Sequence, residues 1–252
     1  MLNVLFLIFI NNEDISVLQS IEKKFIISVL ILLILSISKS FGINLENFNS
    51  KAGVITLMYH RFDENKYPST NIKSEIFVEQ LKLINKAKIG FITFKKFDEI
   101  IKTNMDKSYI LLTIDDAFES FYINAWPILK EKKIPFLLFV NTREVGKSGY
   151  MTWAQIKELH KNDLVSIGNH SHSHEYLIDW NDKEIINDLK TSISIFKKEL
   201  GYSPKIFSYP FGEYSNNLKK IVNDLNFNYA FGQHSGVIDS TKDFFELPRF
   251  PI

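Results

Sequence analysis

The sequence contains no cysteine, which excludes disulfides, thiolate metal sites, a cysteine nucleophile and a lipid-modified N-terminal cysteine. Any metal must therefore be held by His, Asp or Glu. Net charge of one sign is missing too: 30 Lys and Arg stand against 29 Asp and Glu, leaving +1. No bulk attraction to nucleic acid or to an anionic surface follows, so specificity has to come from a local site. Internal repeats and low-complexity tracts are also absent. With 252 residues, 45% of them hydrophobic and 23% charged, the chain has enough apolar material for one globular domain plus an N-terminal addition.

The N-terminus carries the compartment signal. Phe25 to Ile37 is an apolar run preceded by Lys23 and Lys24 and followed by Ser38, Lys39 and Ser40. A basic flank, a short apolar stretch and small residues at its exit describe an export signal. The run falls short of the roughly 20 residues of a comfortable membrane span. An uncleaved anchor and a buried core helix are the alternatives, and no clean Ala-x-Ala site decides between cleavage and anchoring. A second apolar run, Leu2 to Ile10, precedes Glu13 and Asp14, an unusual start that is explained if the working initiation site lies further along. Residues 1–45 are thus read as a signal sequence or membrane anchor plus linker, and 46–252 as the main globular domain. The expected location is extracytoplasmic, with membrane association through the N-terminal segment.

Beyond the linker, short apolar runs alternate with segments of helical period, the pattern of a βα-repeating fold. Strands are expected at Val54–Tyr59, Ile110–Ile114, Phe136–Val140, Leu164–Ile167, Ile206–Tyr209 and Tyr229–Gly232. Helices are expected at Ser74–Lys86, Phe118–Lys132, Thr152–Lys161, Asp182–Leu200 and Leu218–Leu225, with Thr152 as an N-cap and Gly201 as a terminator. Parallel α/β sheets and barrels place their sites at the C-terminal strand ends. The polar clusters Asp115-Asp116, His170 to His174 and Ser208 to Gly212 all fall at such ends.

Three of the six histidines lie in Gly168-Asn169-His170-Ser171-His172-Ser173-His174. Two imidazoles four residues apart can converge on one divalent ion from a helical turn or a tight loop, and a solvated polar loop is the alternative. Asp115 and Asp116 end an apolar strand. Neighbouring side chains there face opposite ways, so the pair does not suit two carboxylates flanking a glycosidic bond. They can divide the work, one binding a metal and the other taking a proton. A helix N-cap would need only one of them.

These motifs together resemble the polysaccharide deacetylase family, carbohydrate esterase family 4. Thr113-Ile114-Asp115-Asp116-Ala117 is similar to its first motif, Thr-Phe-Asp-Asp-Gly, and His170-Ser171-His172-Ser173-His174 matches its His-Ser/Thr-x-x-His. Leu57-Met58-Tyr59-His60-Arg61 is similar to the opening strand of extracellular members, and Tyr209-Pro210-Phe211-Gly212 to the third motif. The four matches keep the family's order from Val54 to the C-terminus. The resemblance implies a distorted (β/α) barrel in which Asp116, His170 and His174 hold a divalent ion, most often Zn²⁺, with Co²⁺ and Ni²⁺ as alternatives. It further implies that Asp115 is the general base, and that the backbone N–H of Phe211 stabilises the oxyanion in a loop held by Tyr209 and Pro210.

Ser208 stands where the family usually has an arginine that pairs with the base. Arg249 is the candidate replacement from the last strand, with a surface arginine as the alternative. The late Asp-Trp motif is not recognisable, and Trp153 is either a sugar-stacking surface or a core residue. His234 is the candidate acid for the leaving amine, His60 a pocket residue, His172 a non-ligand, and His160 a helix-surface residue. Ala117 replaces glycine, which requires a negative φ there. The expected reaction is removal of N-acetyl groups from an N-acetylated glycan, with O-acetyl ester hydrolysis and a catalytically silent glycan-binding domain as alternatives.

Overall fold

The computed structural model describes residues 52–252, so the export or anchoring reading of the N-terminus lies outside the described residues. Among them, no helix is long and apolar enough to cross a membrane.

The strand β1 (Val54–Tyr59) is buried at every position, as a strand covered on both faces must be. Short strands β2 (Arg61–Phe62) and β3 (Asn71–Ile72) pair with each other beside it. Helix α1 (Ser74–Lys86), strand β4 (Gly90–Phe91) and helix α2 (Phe94–Ile100) lead to β5 (Tyr109–Ile114). Then come α3 (Trp126–Glu131), β6 (Phe136–Val140), α4 (Trp153–His160), β7 (Val165–Asn169) and α5 (Asp182–Leu200). The chain continues through β8 (Ile206–Ser208), α6 (Asn216–Asp224), β9 (Tyr229–Phe231), β10 (Val237–Ile238) and β11 (Phe250–Pro251).

The main sheet runs β10-β1-β5-β6-β7-β8-β9, and every pair from β1 to β9 along it is parallel. The last segment bends the sheet into a barrel. Leu247 forms a parallel bridge to Phe231, and three residues later Phe250 pairs with Leu57 of β1. One cluster fills the interior, drawing Val54, Leu111, Leu137, Phe139 and Phe231 from four strands and Phe97 and Ile101 from the α2 region. A second packs α5 and α6 on the outside through Ile185, Leu189, Leu218 and Val222 against Phe207 and Tyr209.

Local chemistry sets the helix ends. Thr152 and Gln155 form a capping box at α4, and Asn181 and Glu184 form another at α5, each satisfying two otherwise orphaned N–H groups. Gly201 ends α5 at φ 81. The helix expected over Phe118–Lys132 is present over residues 119–131 but not uniform, with one π turn, Phe121–Ala125, running into α3. Pro127 explains the irregularity, because it has no N–H for the carbonyl four residues back and its ring crowds that carbonyl. Several boundaries also shift: β7 extends to Asn169, β8 stops at Ser208, β9 at Phe231, and α6 begins at Asn216 behind a Ser215 cap. Helix α2, capped by Thr93, was not expected from so short a period.

Candidate active site

Strand alternation aims Asp115 inward. Leu111 belongs to the barrel interior, and Thr113 and Asp115 follow on the same face at a spacing of two. Asp115 and Arg249 are 2% and 1% exposed. Arg249 Nη1 donates to Asp115 Oδ1 at 2.7 Å and Nη2 to Oδ2 at 2.8 Å. Nη2 also donates to Ser208 Oγ at 2.8 Å, and Nε to the Gly232 carbonyl at 2.8 Å. The Ser208 hydroxyl in turn donates to Asp115 Oδ2 at 3.2 Å. Burial pushes the Asp115 carboxyl up, but the Arg249 guanidinium, the His170 ring and the hydrogen bonds from Arg249 outweigh it and hold it well below the usual carboxylate range.

Asp116 turns the other way. It has φ 70 and Ala117 has φ 54, two consecutive left-handed residues that end the strand without capping a helix. The expectation of a negative φ at Ala117 is therefore wrong. The strained turn is held by the Met151 N–H donating to the Ala117 carbonyl at 2.9 Å and by a Phe118–Tyr150 backbone bridge.

Asp116, His170 and His174 each present one ligand atom, all within 4.8 Å of one another. Asp116 Oδ1 lies 3.6 Å from His170 Nε2 and 3.3 Å from His174 Nε2. Ligands about 2.0–2.1 Å from a tetrahedral ion stand roughly 3.3 Å apart, so the three atoms fit a divalent metal. Second partners orient them. His170 Nδ1 is 2.8 Å from the Ser208 carbonyl, which assigns the proton to Nδ1 and leaves Nε2 with a lone pair toward Asp116. Asn141 Nδ2 donates to Asp116 Oδ1 at 2.9 Å. Burial pushes the His170 pKa down to about 4, against the opposing pull of Asp115, so the ring is neutral and able to bind a cation.

The histidine loop is fastened from below. Asp188, buried on α5, accepts the backbone N–H groups of His172 at 2.8 Å and Ser173 at 2.9 Å. Asn169 Oδ1 accepts from the Ser171 N–H at 2.8 Å, and its amide donates to Ser192 Oγ at 2.7 Å. Ser171 Oγ accepts from the His174 N–H at 2.9 Å. Sequence reading missed Asp188 and Ser192, although both sit among Ile185, Leu189 and Phe196 on the buried face of α5. A polar residue on an apolar stripe was the available signal.

A cleft of about 270 Å³ opens beside this cluster, lined by Asp116, His174, Asn141, Arg61, Tyr150 and Phe118 among others. His60 Nδ1 is buried with no hydrogen-bond partner. Burial lowers the pKa of His60, and the nearby Asp115 and Asp116 oppose the shift. Tyr209 is fully buried, with its hydroxyl donating to the Phe245 carbonyl at 2.9 Å. Pro210 is buried beside it, and Phe211 sits at φ 57 with its ring 4.7 Å from that of His174.

Other expected residues lie apart. Trp153 meets Phe196 edge-on at 5.8 Å on α5 and is not a cleft-lining residue, so packing accounts for it. His234 is exposed, 3.5 Å from the Tyr214 hydroxyl, and no contact ties its side chain to the Asp-His cluster. His172 Nδ1 meets Thr142 Oγ1 at 2.9 Å, and His160 lies against Tyr202.

Residues 102–230 match the family model described as polysaccharide deacetylase. Over an alignment of 268 positions the chain is 25% identical to a poly-beta-1,6-N-acetyl-D-glucosamine N-deacetylase of Staphylococcus aureus strain MSSA476, covering 91% of this chain and 92% of that protein. A protein of the same description from Staphylococcus epidermidis is 21% identical over 196 positions, 72% of this chain and 68% of that one. Among solved structures, IcaB from Ammonifex degensii superposes with a TM-score of 0.72 at 25% identity, covering 80% of this chain and 92% of that one. The Streptococcus pyogenes deacetylase PplD has the same fold, with a TM-score of 0.72 at 22% identity over 81% and 93% of the two chains.

Proposed function

Because the chain belongs to the polysaccharide deacetylase family, we propose that it is a metal-dependent N-deacetylase acting on a polysaccharide of N-acetylhexosamine units outside the cytoplasm. The observation that carries this is one buried carboxylate, Asp115, locked by Arg249 beside a second, Asp116, that faces two histidines.

Asp116, His170 and His174 would hold the ion. Bound there, a divalent ion, Zn²⁺ by preference for this donor set, would supply Lewis acidity toward an acetamide carbonyl and a water molecule. Asp115 accepts the proton of that water. Arg249 keeps its carboxylate ionised and fixes both oxygens, which removes rotational freedom from the base. The backbone of Tyr209-Pro210-Phe211 borders the place where negative charge develops on the carbonyl oxygen. The C–N bond breaks, the amine takes up a proton, and acetate and a free amino sugar leave. His234, beside Tyr214 and apart from the Asp-His cluster, is the proposed donor for that last transfer, a role that requires the bound substrate to bring its amine within reach. His60 supplies a neutral wall to the site.

Sharing of an N-deacetylase description by the Staphylococcus relatives favours amide over ester substrates. Poly-β-1,6-N-acetylglucosamine is the first polymer to test. The experiment is acetate release from that polymer and its oligomers by protein stripped with chelator and then given Zn²⁺, Co²⁺ or Ni²⁺. Activity that vanishes with the metal and returns with it is the expected result. Metal binding without acetate from any N-acetylated substrate overturns the reading in favour of a glycan-binding domain.

A further inference from the structure

Single exposed apolar side chains need no explanation, but exposed apolar side chains gathered into one patch mark binding surfaces. Among the described residues five large apolar side chains are exposed, and three of these, Tyr176, Ile178 and Phe211, come from the loop after the second histidine and from the third motif. Tyr176 and Phe211 are 45% and 40% exposed, yet their rings lie parallel, 3.8 Å apart with 4° between planes. The other side of this pair abuts the site, for the Phe211 ring meets that of His174 at 4.7 Å and 63°. His174 also lines the cleft. Phe211 is held at φ 57, a left-handed conformation that costs a non-glycine residue roughly 1 kcal/mol. Strain and solvent exposure together are unfavourable for folding, and burial elsewhere in the chain offsets them.

We propose that Tyr176, backed by Phe211, is a stacking platform for a sugar ring adjacent to the one being deacetylated. This rests on the N-deacetylase reading and extends it by naming a binding subsite. A pyranose ring presents axial C–H groups on its face, and these complement the electron-rich face of an aromatic ring. Phe211 covers one face of Tyr176. The chain of contacts His174, Phe211, Tyr176 leads outward from the reacting position, so Tyr176 touches a neighbouring unit of the polymer. The platform therefore selects for chain length.

The test compares wild type, Tyr176→Ala and Tyr176→Phe on N-acetylglucosamine oligomers of increasing length and on a nitrophenyl acetate ester that has no second ring. Tyr176→Ala is expected to lower kcat/KM on the longer oligomers by roughly three- to tenfold, the worth of one aromatic contact, mainly through KM. Turnover of the ester stays within twofold, and Tyr176→Phe matches wild type throughout. An equal loss on ester and oligomer would show that Tyr176 merely props the Phe211 loop, and no loss on any substrate would also overturn the proposal. Wild-type protein that releases no acetate from any oligomer overturns the N-deacetylase reading and this subsite with it. An active wild type with an unaffected Tyr176→Ala overturns the subsite alone.

Discussion

Arg249 and Asp115 are 134 positions apart in the chain and share two hydrogen bonds of 2.7 and 2.8 Å in the barrel interior. The first comes from the closing segment and the second from the end of β5. Ser208, at the position where an arginine was expected, binds both partners. The guanidinium comes from the closing segment just before β11 and forms a two-pronged fork on the carboxylate.

Replacing Arg249 with Met should leave Asp115 buried and unpaired, at a cost of about 3–5 kcal/mol. Folded Asp115 has a pKa below its unfolded value of about 3.9. The stabilisation is thus complete above the unfolded value and is lost as pH falls through the folded one. In Arg249→Met, burial is no longer opposed by the guanidinium, so the acidic limb of kcat/KM moves to higher pH. Arg249→Lys restores charge without the fork and should recover only part of the activity. Denaturant melts and pH–rate profiles of the three proteins check both statements.

Asp115→Asn is expected to lower kcat by at least about 100-fold, as loss of a general base does. Metal affinity, measured by titration calorimetry, should change little because Asp115 is not among the three ligand-bearing residues. Unchanged turnover would remove Asp115 from its assigned role.

Asp188→Asn gives one backbone N–H of the histidine loop a donor in place of an acceptor. Groups bonded directly to metal ligands typically account for 10–100-fold in metal affinity, and Asp188, one step further out through the loop backbone, is expected to reach the lower end, about 10-fold. Calorimetric titration of the stripped protein with Zn²⁺ should show a loss of that size. The metal-free melting temperature, recorded in parallel, separates loop positioning from general destabilisation.

Ala117 and Ala125 are both buried, and a glycine at either loses the same methyl group. At Ala125, inside the π turn, glycine adds a backbone cost of about 1 kcal/mol. At Ala117, with φ 54, it relieves a strain of similar size. Ala125→Gly should therefore be the more destabilising by about 2 kcal/mol, which paired urea melts would show.

The central strands were legible because burial on both faces writes them as unbroken apolar runs, as in Val54–Tyr59 and Phe136–Val140. The α5 boundaries were legible because Asn181, Glu184 and Gly201 are local signals. Pro127 was equally visible, but its effect on the preceding turn depends on packing beyond the helix period. The Asp115, Asp116, His170 and His174 cluster could be named from motifs and Arg249 as the candidate for a missing charge, whereas Asp188 and Asn141 could not. Asp188, Asn141 and Arg249 reach the site through long-range contacts. Trp153 shows the converse: an aromatic residue near the right motif that the fold turns toward Phe196.

Closure of the barrel by the segment that carries Arg249 has a consequence for how the chain folds. Pairing Phe250 with Leu57 is among the most non-local steps in the topology, and non-local pairing is slow. Until it occurs, Asp115 has no guanidinium, and a nearly formed barrel would hold an uncompensated buried charge. Such a half-closed state is penalised by several kcal/mol. The ion pair thereby works against partly folded barrels as well as for the finished one, sharpening the transition so that a chain with a formed sheet also has an oriented Asp115 carboxylate.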